Sequence, residues 1–597
     1  MEFFEVFEES ILDLQAAQTA GKVTSRALVE SYLARIQAYD QAGPRLNALV
    51  MINPRAREAA DALDRERAER GPRGPLHGIP VLIKDNYDTA DMPTSGGALA
   101  LATLQPTADA FAVRKLKDAG AVILGKTTMH ELASGITNIS SLTEWTRNPY
   151  ELNRVPGGSS GGTGAAIAAS FAAAGMGSDT CGSIRIPSAN NNLVGLRGSQ
   201  GLSSRTGIMP LSSTQDIGGP LARSVTDLAI MLDATVGPDP ADAITKEGAS
   251  HIPKSFRDGL SPDGLKGVRI GALRGYWGTA PEDQEVIGFM NRTLDGMKAL
   301  GAEVVDVTVP GFDDIIRDSA LQIYEFKFDL MAYLAKIPNA PVKSLGEIID
   351  RGLHHEQLDA QLRLRNAVEK LDTEGYRKAL VKRRALRAAV LTTMEEQKVD
   401  VLAYPTMRRK PTLLGEPQQG SNCQLSATTG LPAISMPAGF TTDGLPIGFE
   451  MLGGAFADAA LVKYAYAWEQ QTKPRRPPFS TPRLVRGAAP APLPLTVEVG
   501  AATVKFTYDR TTGSLRYDAS TANLGNDRVV GLAIHRVNDG KPGPIVAHLL
   551  APSQVNGSGT VVLRGRDRDD LVAGHLVVKL YTRSQPLGAG SRAIELK

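Results

Sequence analysis

Only two cysteines, Cys181 and Cys423, occur in 597 residues. That scarcity excludes a disulfide framework and any cysteine-based zinc module, leaving room for a single bridge at most. The eight histidines are scattered, and none pair at the spacing by which one helix face offers two imidazoles to a metal, so neither a metal nor another cofactor is expected. An excess of either charge is missing too: 66 Lys and Arg against 64 Asp and Glu leave a formal net charge of +2. With no Lys/Arg block, basic stripe or aromatic RNA-binding signature, nucleic acid is not an expected partner. No segment reaches about 18 large apolar residues, and the Ala-rich stretch 165–174 is too short and weakly hydrophobic to cross a bilayer, so no membrane partner is expected. The opening, MEFFEVFEESILDL, lacks both a basic leader and a central apolar run and reads as a helix rather than a signal peptide. As written, that places the chain in the cytoplasm, with export left open if a leader was removed.

What is present is a globular composition, 42% hydrophobic and 22% charged, on a chain too long for one core. Early residues carry helical periodicity: in SRALVESYLARIQAYD, Leu28, Tyr32, Leu33 and Ile36 share a face, with Ser25 as the expected cap. GIPVLIKD, ADAFAVRKLKDAG and AVILGK then read as strand, helix and strand, pointing to an α/β unit with a covered sheet. The chain is helix-rich from about 320 to 396, and VDVLAYPT, ISMPAGF and PIGFEMLGG resume the strand signal. Seven prolines between 473 and 494 predict a semi-rigid linker. Beyond it the periodicity changes to two (TVEVG, TVKFTY, SLRYDA, RVVGLAIHRV, PIVAHLL, TVVLRG, HLVVKLYT), predicting an all-β sandwich without helices. The expected division is a catalytic α/β domain at 1–473, a linker at 474–494 and a β-sandwich at 495–597.

Three small motifs of the α/β unit carry chemistry together. VPGGSSGGTGAAIAA puts Ser159 and Ser160 among glycines that let the backbone approach a ligand closely, just before an Ala-rich helix whose N-terminus should offer free N–H groups. GSDTCGSIRIPS holds two candidate nucleophiles, Cys181 and Ser183. PLHGIPVLIKDN sets Lys84 on an apolar run, where desolvation can lower its pKa enough to make it a base. Each alone reads blandly, as a loop, a turn or a solvated lysine; together they supply a nucleophile and its base.

With these stretches and the later DIGGPLARSVTDLA, the chain resembles the amidase signature family from its first helices to about Thr472. The spacings agree: 75 residues separate Lys84 from Ser159, and 24 separate Ser159 from Ser183. The resemblance implies a mixed, twisted central sheet covered by helices on both faces. It implies Ser183 as nucleophile, Ser159 as bridging serine beside a cis peptide bond, and Lys84 as base, the three hydrolysing amides through an acyl-enzyme. An oxyanion needs placed donors, and the backbone N–H groups of Thr180, Cys181, Gly182 and Ser183 are the candidates. Ser160 supports the site, and Asp179 with Arg185 reads as an ion pair bracing the loop. Met129, His130 and Gln215 are candidate pocket residues; His77 and His130 are poor catalytic candidates. Cys181 stands where the family most often has glycine and is expected to be a small filler pointing away from substrate; Cys423 is expected to have no chemistry.

The segment EFKFDLMAYLAKIPNAPVKSLGEIID is similar to the peptide-amidase-like subgroup, which implies small or linear carboxamides, anilides or peptide amides, with esters and carbamates open. The alternative is the glutaminase subunit of a tRNA-dependent amidotransferase complex. The C-terminal module faintly resembles CHRD domains, and a homodimer is left open.

Overall fold

The computed structural model of the chain describes residues 3–538 and 540–596. Eleven strands form one mixed sheet: β1 (Leu49–Ile52), β2 (Pro80–Lys84), β3 (Val122–Thr127), β4 (Ala174–Asp179), β5 (Val194–Arg197), β6 (Ile217–Ala222), β7 (Arg269–Ala272), β8 (Glu303–Asp306), β9 (Val401–Pro405), β10 (Ala433–Phe440) and β11 (Pro446–Gly453). Their spatial order is β1-β3-β2-β4-β6-β5-β10-β11-β9-β7-β8. β2 runs parallel to both β3 and β4, which puts it inside the sheet, and all five of its residues are buried. The helix Phe111–Asp118 makes the β2-to-β3 crossover. A strand covered on both faces reads as a continuous apolar run, and Val81, Leu82 and Ile83 are wholly buried. Lys84 ends this strand, so its side chain starts inside the protein.

Local signals at the N-terminus are shifted by a few residues from expectation. The first helix is Ile11–Thr19, opened by a capping box between Ser10 and Asp13, while residues 3–6 are not helical. In the helix Ser25–Tyr39 the cap is Thr24, whose hydroxyl accepts from Ala27 N at 3.1 Å, not Ser25. Ser25 is instead the first helical residue, buried with its hydroxyl donating to Gln18. Both residues suit a cap chemically; tertiary packing decides between them.

The helix-rich stretch consists of Gln322–Leu334, Leu345–Asp350, Asp359–Asn366 and Glu374–Glu396. Phe326, Leu330, Ile348 and Leu362 pack there with Leu101, Met129, Leu132 and Met209 in an apolar cluster separate from the main core. No helix among the described residues is long and apolar enough to cross a membrane.

Beyond residue 492, β12 (Leu493–Val499), β13 (Ala502–Asp509), β14 (Ser514–Thr521) and β17 (Asn556–Val562) form one antiparallel four-stranded sheet. β15 (Val529–Asn538), β16 (Lys541–Leu550), β18 (Leu576–Thr582) and β19 (Gly590–Ala593) form a second. Val504, Phe506 and Leu515 of the first sheet share an apolar core with Leu532, Ile534 and Val578 of the second. The module is not free of helix, as the alternation suggested: Arg566–Val572 forms one. RDRDDLV hides it by carrying a single large apolar residue, Leu571, on its buried side.

The proline-rich segment lies along the α/β body. Arg35, wholly buried in the helix Ser25–Tyr39, donates to the carbonyls of Ala169 (2.9 Å) and Ser170 (3.1 Å), and to those of Thr481 (2.8 Å) and Pro482 (3.0 Å). Arg475 donates to Glu8, the Tyr150 hydroxyl and the Ala168 carbonyl. From the β module, Arg568 reaches back to Glu151 (3.1 Å) and stacks over the Phe479 ring. One guanidinium, that of Arg35, thus satisfies four carbonyls. Arg35→Ala is expected to cost about 3 kcal/mol or more, because buried carbonyls are left without donors; urea unfolding followed by circular dichroism measures it.

Candidate active site

β2 delivers Lys84 to the centre of the site, where its side chain has no exposed surface. Nζ lies 2.8 Å from Ser159 Oγ, 2.9 Å from Ser178 Oγ and 3.4 Å from the Ser178 carbonyl. Burial pulls its pKa from 10.5 down to about 7, against the opposing pull of the Asp179 and Asp216 carboxylates. At neutral pH a large share of the lysine is therefore an uncharged amine able to accept a proton. Ser178, whose hydroxyl also accepts from Asn86 Nδ2 at 2.9 Å, was not among the residues singled out by sequence. As a strand residue two positions before the TCGS turn it carries no signal of its own.

The GGSSGG motif approaches this lysine as a turn entering the helix Gly161–Ala168. The Gly158–Ser159 peptide bond is cis. Two of the glycines are required by close approach: a Cβ on Gly161 would lie 2.5 Å from Asn138 Cγ, and one on Gly162 would lie 2.3 Å from the Thr128 carbonyl oxygen. Two of the N–H groups at this helix start are occupied. Ser160 N donates to the Ser183 carbonyl at 3.3 Å and Gly161 N to Asn138 Oδ1 at 3.0 Å. The first of these bonds seats the two serine-bearing segments against each other, and the Ser160 hydroxyl adds a bond to the Ser178 carbonyl at 3.2 Å.

Ser183 is 4% exposed, in the turn between β4 and the helix Arg185–Asn190. Among the described residues the hydroxyls of Ser159 and Ser183 share no hydrogen bond. Lys84 and Ser159 are paired, and Ser183 is held beside them through its backbone. The turn is organised by Asp179, which is wholly buried. Its Oδ1 accepts from Gly182 N (2.7 Å), Arg185 Nη2 (3.2 Å) and Arg197 Nη1 (3.2 Å), and its Oδ2 from Arg185 Nε (3.0 Å) and Ile184 N (3.2 Å). Burial alone would raise this carboxyl's pKa, but the guanidiniums of Arg185 and Arg197 overcome it and hold the group well below the usual carboxylate range. Arg185 continues to Glu450 Oε2 (2.8 Å) on β11 and to the Cys423 carbonyl (3.1 Å). The ion pair read from sequence is thus part of a larger buried network. Arg197, on the next strand, and Glu450, far along the chain, gave no sign of belonging to it.

Gly182 N–H, one of the four candidate oxyanion donors, is already bound to Asp179. Thr180 is fixed by its hydroxyl to Asp216 Oδ1 at 2.5 Å and by its carbonyl to Gln215 Nε2 at 3.3 Å. The expectation for Cys181 fails: its sulfur is bonded to that of Cys423, with Cα atoms 4.9 Å apart, so neither residue is a free thiol or a simple filler. A bridge between residues 242 positions apart leaves no local trace in a sequence.

Met129 is buried in the apolar cluster under the helix-rich segment. His130 donates its backbone N–H to the Ser159 carbonyl (3.0 Å), and its Nδ1 accepts from Asn138 N (3.1 Å); burial drives its pKa to about 3, so it is neutral. Gln215 Oε1 accepts from Leu321 N at 2.6 Å while Nε2 holds Thr180. All three brace the surroundings of the site through committed atoms or packing. His77 lies elsewhere, its Nε2 2.9 Å from the Leu63 carbonyl.

A profile of the amidase family matches residues 27–462. The chain belongs to the amidase family. A profile of the CHRD domain matches residues 484–589. A probable amidase of Arabidopsis thaliana is 33% identical over 80% of this chain and 92% of its own length. One of the glutamyl-tRNA(Gln) amidotransferase subunits of Halorhodospira halophila is 33% identical over 78% of this chain and 97% of its own length. Among solved structures, the native peptide amidase of Stenotrophomonas maltophilia superposes with a TM-score of 0.72 at 37% identity, covering 79% of this chain and 98% of that one. This amidase is accordingly a hydrolase of carbon–nitrogen bonds other than peptide bonds.

Asp179→Asn removes the charge on which both Arg185 and Arg197 converge, and breaking a buried pair this way costs about 3–5 kcal/mol. The expected outcome is a matching loss in urea unfolding free energy together with lost activity.

Proposed function

We propose that this chain cleaves small or linear carboxamides, anilides or peptide amides with Ser183 as nucleophile, Ser159 as proton bridge and Lys84 as base. The observation that carries the reading is the wholly buried Lys84, its pKa near 7, set 2.8 Å from Ser159 Oγ. When a substrate carbonyl is seated, Ser183 Oγ attacks it and passes its proton to Ser159, which passes its own to the neutral Lys84. The relay runs backward to protonate the departing ammonia or amine, and water then repeats the sequence on the acyl-enzyme. Catalytic hydrogen bonds are commonly long or poorly aligned until substrate is bound, so the lack of a Ser159–Ser183 hydrogen bond among the described residues is compatible with the relay.

Charge developing on the carbonyl oxygen needs donors that are not already committed. With Gly182 N–H bound by Asp179, the backbone N–H groups of Thr180, Cys181 and Ser183 remain for that role. The 37% identity to a peptide amidase across nearly its whole length supports a peptide amide or similar linear amide as substrate.

A second reading, an amidotransferase glutaminase subunit, is favoured by relatives bearing the amidotransferase name. Against it stands the β module, beyond the amidase-matched residues. The purified chain alone is expected to hydrolyse primary amides and peptide amides; activity that requires added partner subunits would favour the second reading.

Ser183→Ala and Lys84→Ala are each expected to lower kcat at least about a thousandfold. Because the base must be uncharged, kcat/KM should rise about tenfold per pH unit below about 7 and level off above it. A profile flat down to pH 5 would contradict the assignment of Lys84.

A further inference from the structure

The disulfide sits inside the turn that carries the nucleophile, and its two ends are held very differently. Cys423 is firmly placed. Its N–H donates to Ser421 Oγ at 3.2 Å, its carbonyl accepts from Arg185 at 3.1 Å, and the helix Gln424–Thr429 begins directly after it. Its neighbour Asn422 donates to the carbonyls of Pro405 and Tyr276, both at 2.8 Å, fixing this corner to the end of β9. Cys181 has no such anchorage. Among the described residues its peptide N–H has no hydrogen-bond partner, and it precedes Gly182, which adopts φ +86°. A Cβ on Gly182 would lie 2.8 Å from Cys423 Cβ, so the turn rests directly on this corner. Asp179 ties down Gly182 and Ile184, and Gln215 and Asp216 tie down Thr180; among the described residues only the sulfur bonds residue 181 to another segment.

We infer that the Cys181–Cys423 bridge is a positioning element of the amidase site, fixing the backbone N–H groups of Cys181 and Ser183 at the carbonyl oxygen of the substrate, so that full turnover requires the oxidised pair. The inference rests on the reading of Ser183 as nucleophile. The bridge takes the place of hydrogen bonds that this turn lacks: donors aimed at a developing oxyanion work only if they do not need to reorganise, and misplacement by about 1 Å can cost two orders of magnitude in rate. Ile136, Ile186 and Met407 pack around the two cysteines, which gives the corner an apolar lining, yet Cys181 is itself partly exposed.

That exposure gives a small thiol access. A thiolate attacks Cys181 Sγ, forming a mixed disulfide and releasing Cys423 as thiolate; a second thiol then displaces Cys181. The balance is two cysteine thiols formed and one external disulfide produced, with both electrons coming from the external thiols. Opened in this way, the turn keeps its Asp179 bonds but loses its covalent link to the Cys423 corner.

The experiment uses the full chain, with dithiothreitol as reductant, and follows thiol content, kcat and KM on a peptide amide, and the rate at which a fluorophosphonate labels Ser183. As isolated, the protein should contain no titratable thiol. After reduction two thiols should appear, kcat and the labelling rate should both fall about tenfold, and KM should change less than about twofold, with the far-ultraviolet circular dichroism unchanged. Oxidised glutathione should restore activity. The Cys181→Ala/Cys423→Ala double variant should behave like the reduced enzyme and ignore dithiothreitol, which checks the result without a reductant. Two thiols in the untreated protein, or full reduction with kcat unchanged, would overturn the inference. So would activity lost only in step with the circular dichroism signal, the mark of a merely stabilising bridge. Failure of the oxidised enzyme to hydrolyse amides or to be labelled at Ser183 is a different result, and it removes the amidase reading itself.

Discussion

A lysine with no exposed surface holds its charge only at great cost, and among the described residues no carboxylate lies within bonding distance of Lys84 to offset that cost. Its neighbours are hydroxyls and a carbonyl, and the nearest charges, on Asp179 and Asp216, only partly oppose the desolvation. The uncharged amine is thus a consequence of where β2 ends. A strand inside an eleven-stranded sheet, parallel to a neighbour on each side, gives its last side chain no route to water. The sheet does more than carry the site, because it sets the protonation state on which the proposed chemistry depends.

Around that amine, Asp179 does the positioning. It ends β4, and its two oxygens gather two arginines and two backbone N–H groups, so the turn leading to Ser183 wraps around a buried anion. Through Arg185 the network extends to Glu450 on β11 and to the Cys423 carbonyl, joining segments far apart in the chain. The disulfide follows the same path covalently. Glycine at 161, 162 and 182 serves a geometric purpose in this arrangement, since each lies where a methyl group would strike a neighbouring segment.

Much of this is legible in the order of the residues. Lys84, Ser159 and Ser183 stand out because their local sequence is unusual: glycines that permit close approach, an apolar run that desolvates an amine. The buried strand β2 and the two-residue alternation of the β module can be read for a similar reason, since burial on two faces or one dictates the pattern of apolar residues. What stays hidden is long-range. Arg197 and Glu450 are ordinary residues in their own segments and acquire meaning only when the sheet brings them together, and only the fold decides that the two cysteines pair. Arg35 looks like one more helix-surface charge, although it fastens the proline-rich segment to the body. Thr24 and Ser25 are interchangeable as caps until packing chooses between them. The commitment of Gly182 N–H to Asp179, which narrows the set of candidate oxyanion donors in the proposed mechanism, is a matter of ångströms that no sequence pattern encodes.

The proposed chemistry stands on an amine that is neutral at working pH. The most direct test is an NMR titration of the Lys84 ε-methylene carbon in Ser183→Ala protein labelled with ε-carbon-13 lysine, its resonance assigned by comparison with a sample also carrying Lys84→Arg. A midpoint near pH 7 is the predicted result. A midpoint near 10, the value of a solvated lysine, would contradict the account, because the proposed base would then be protonated throughout the range in which the enzyme works.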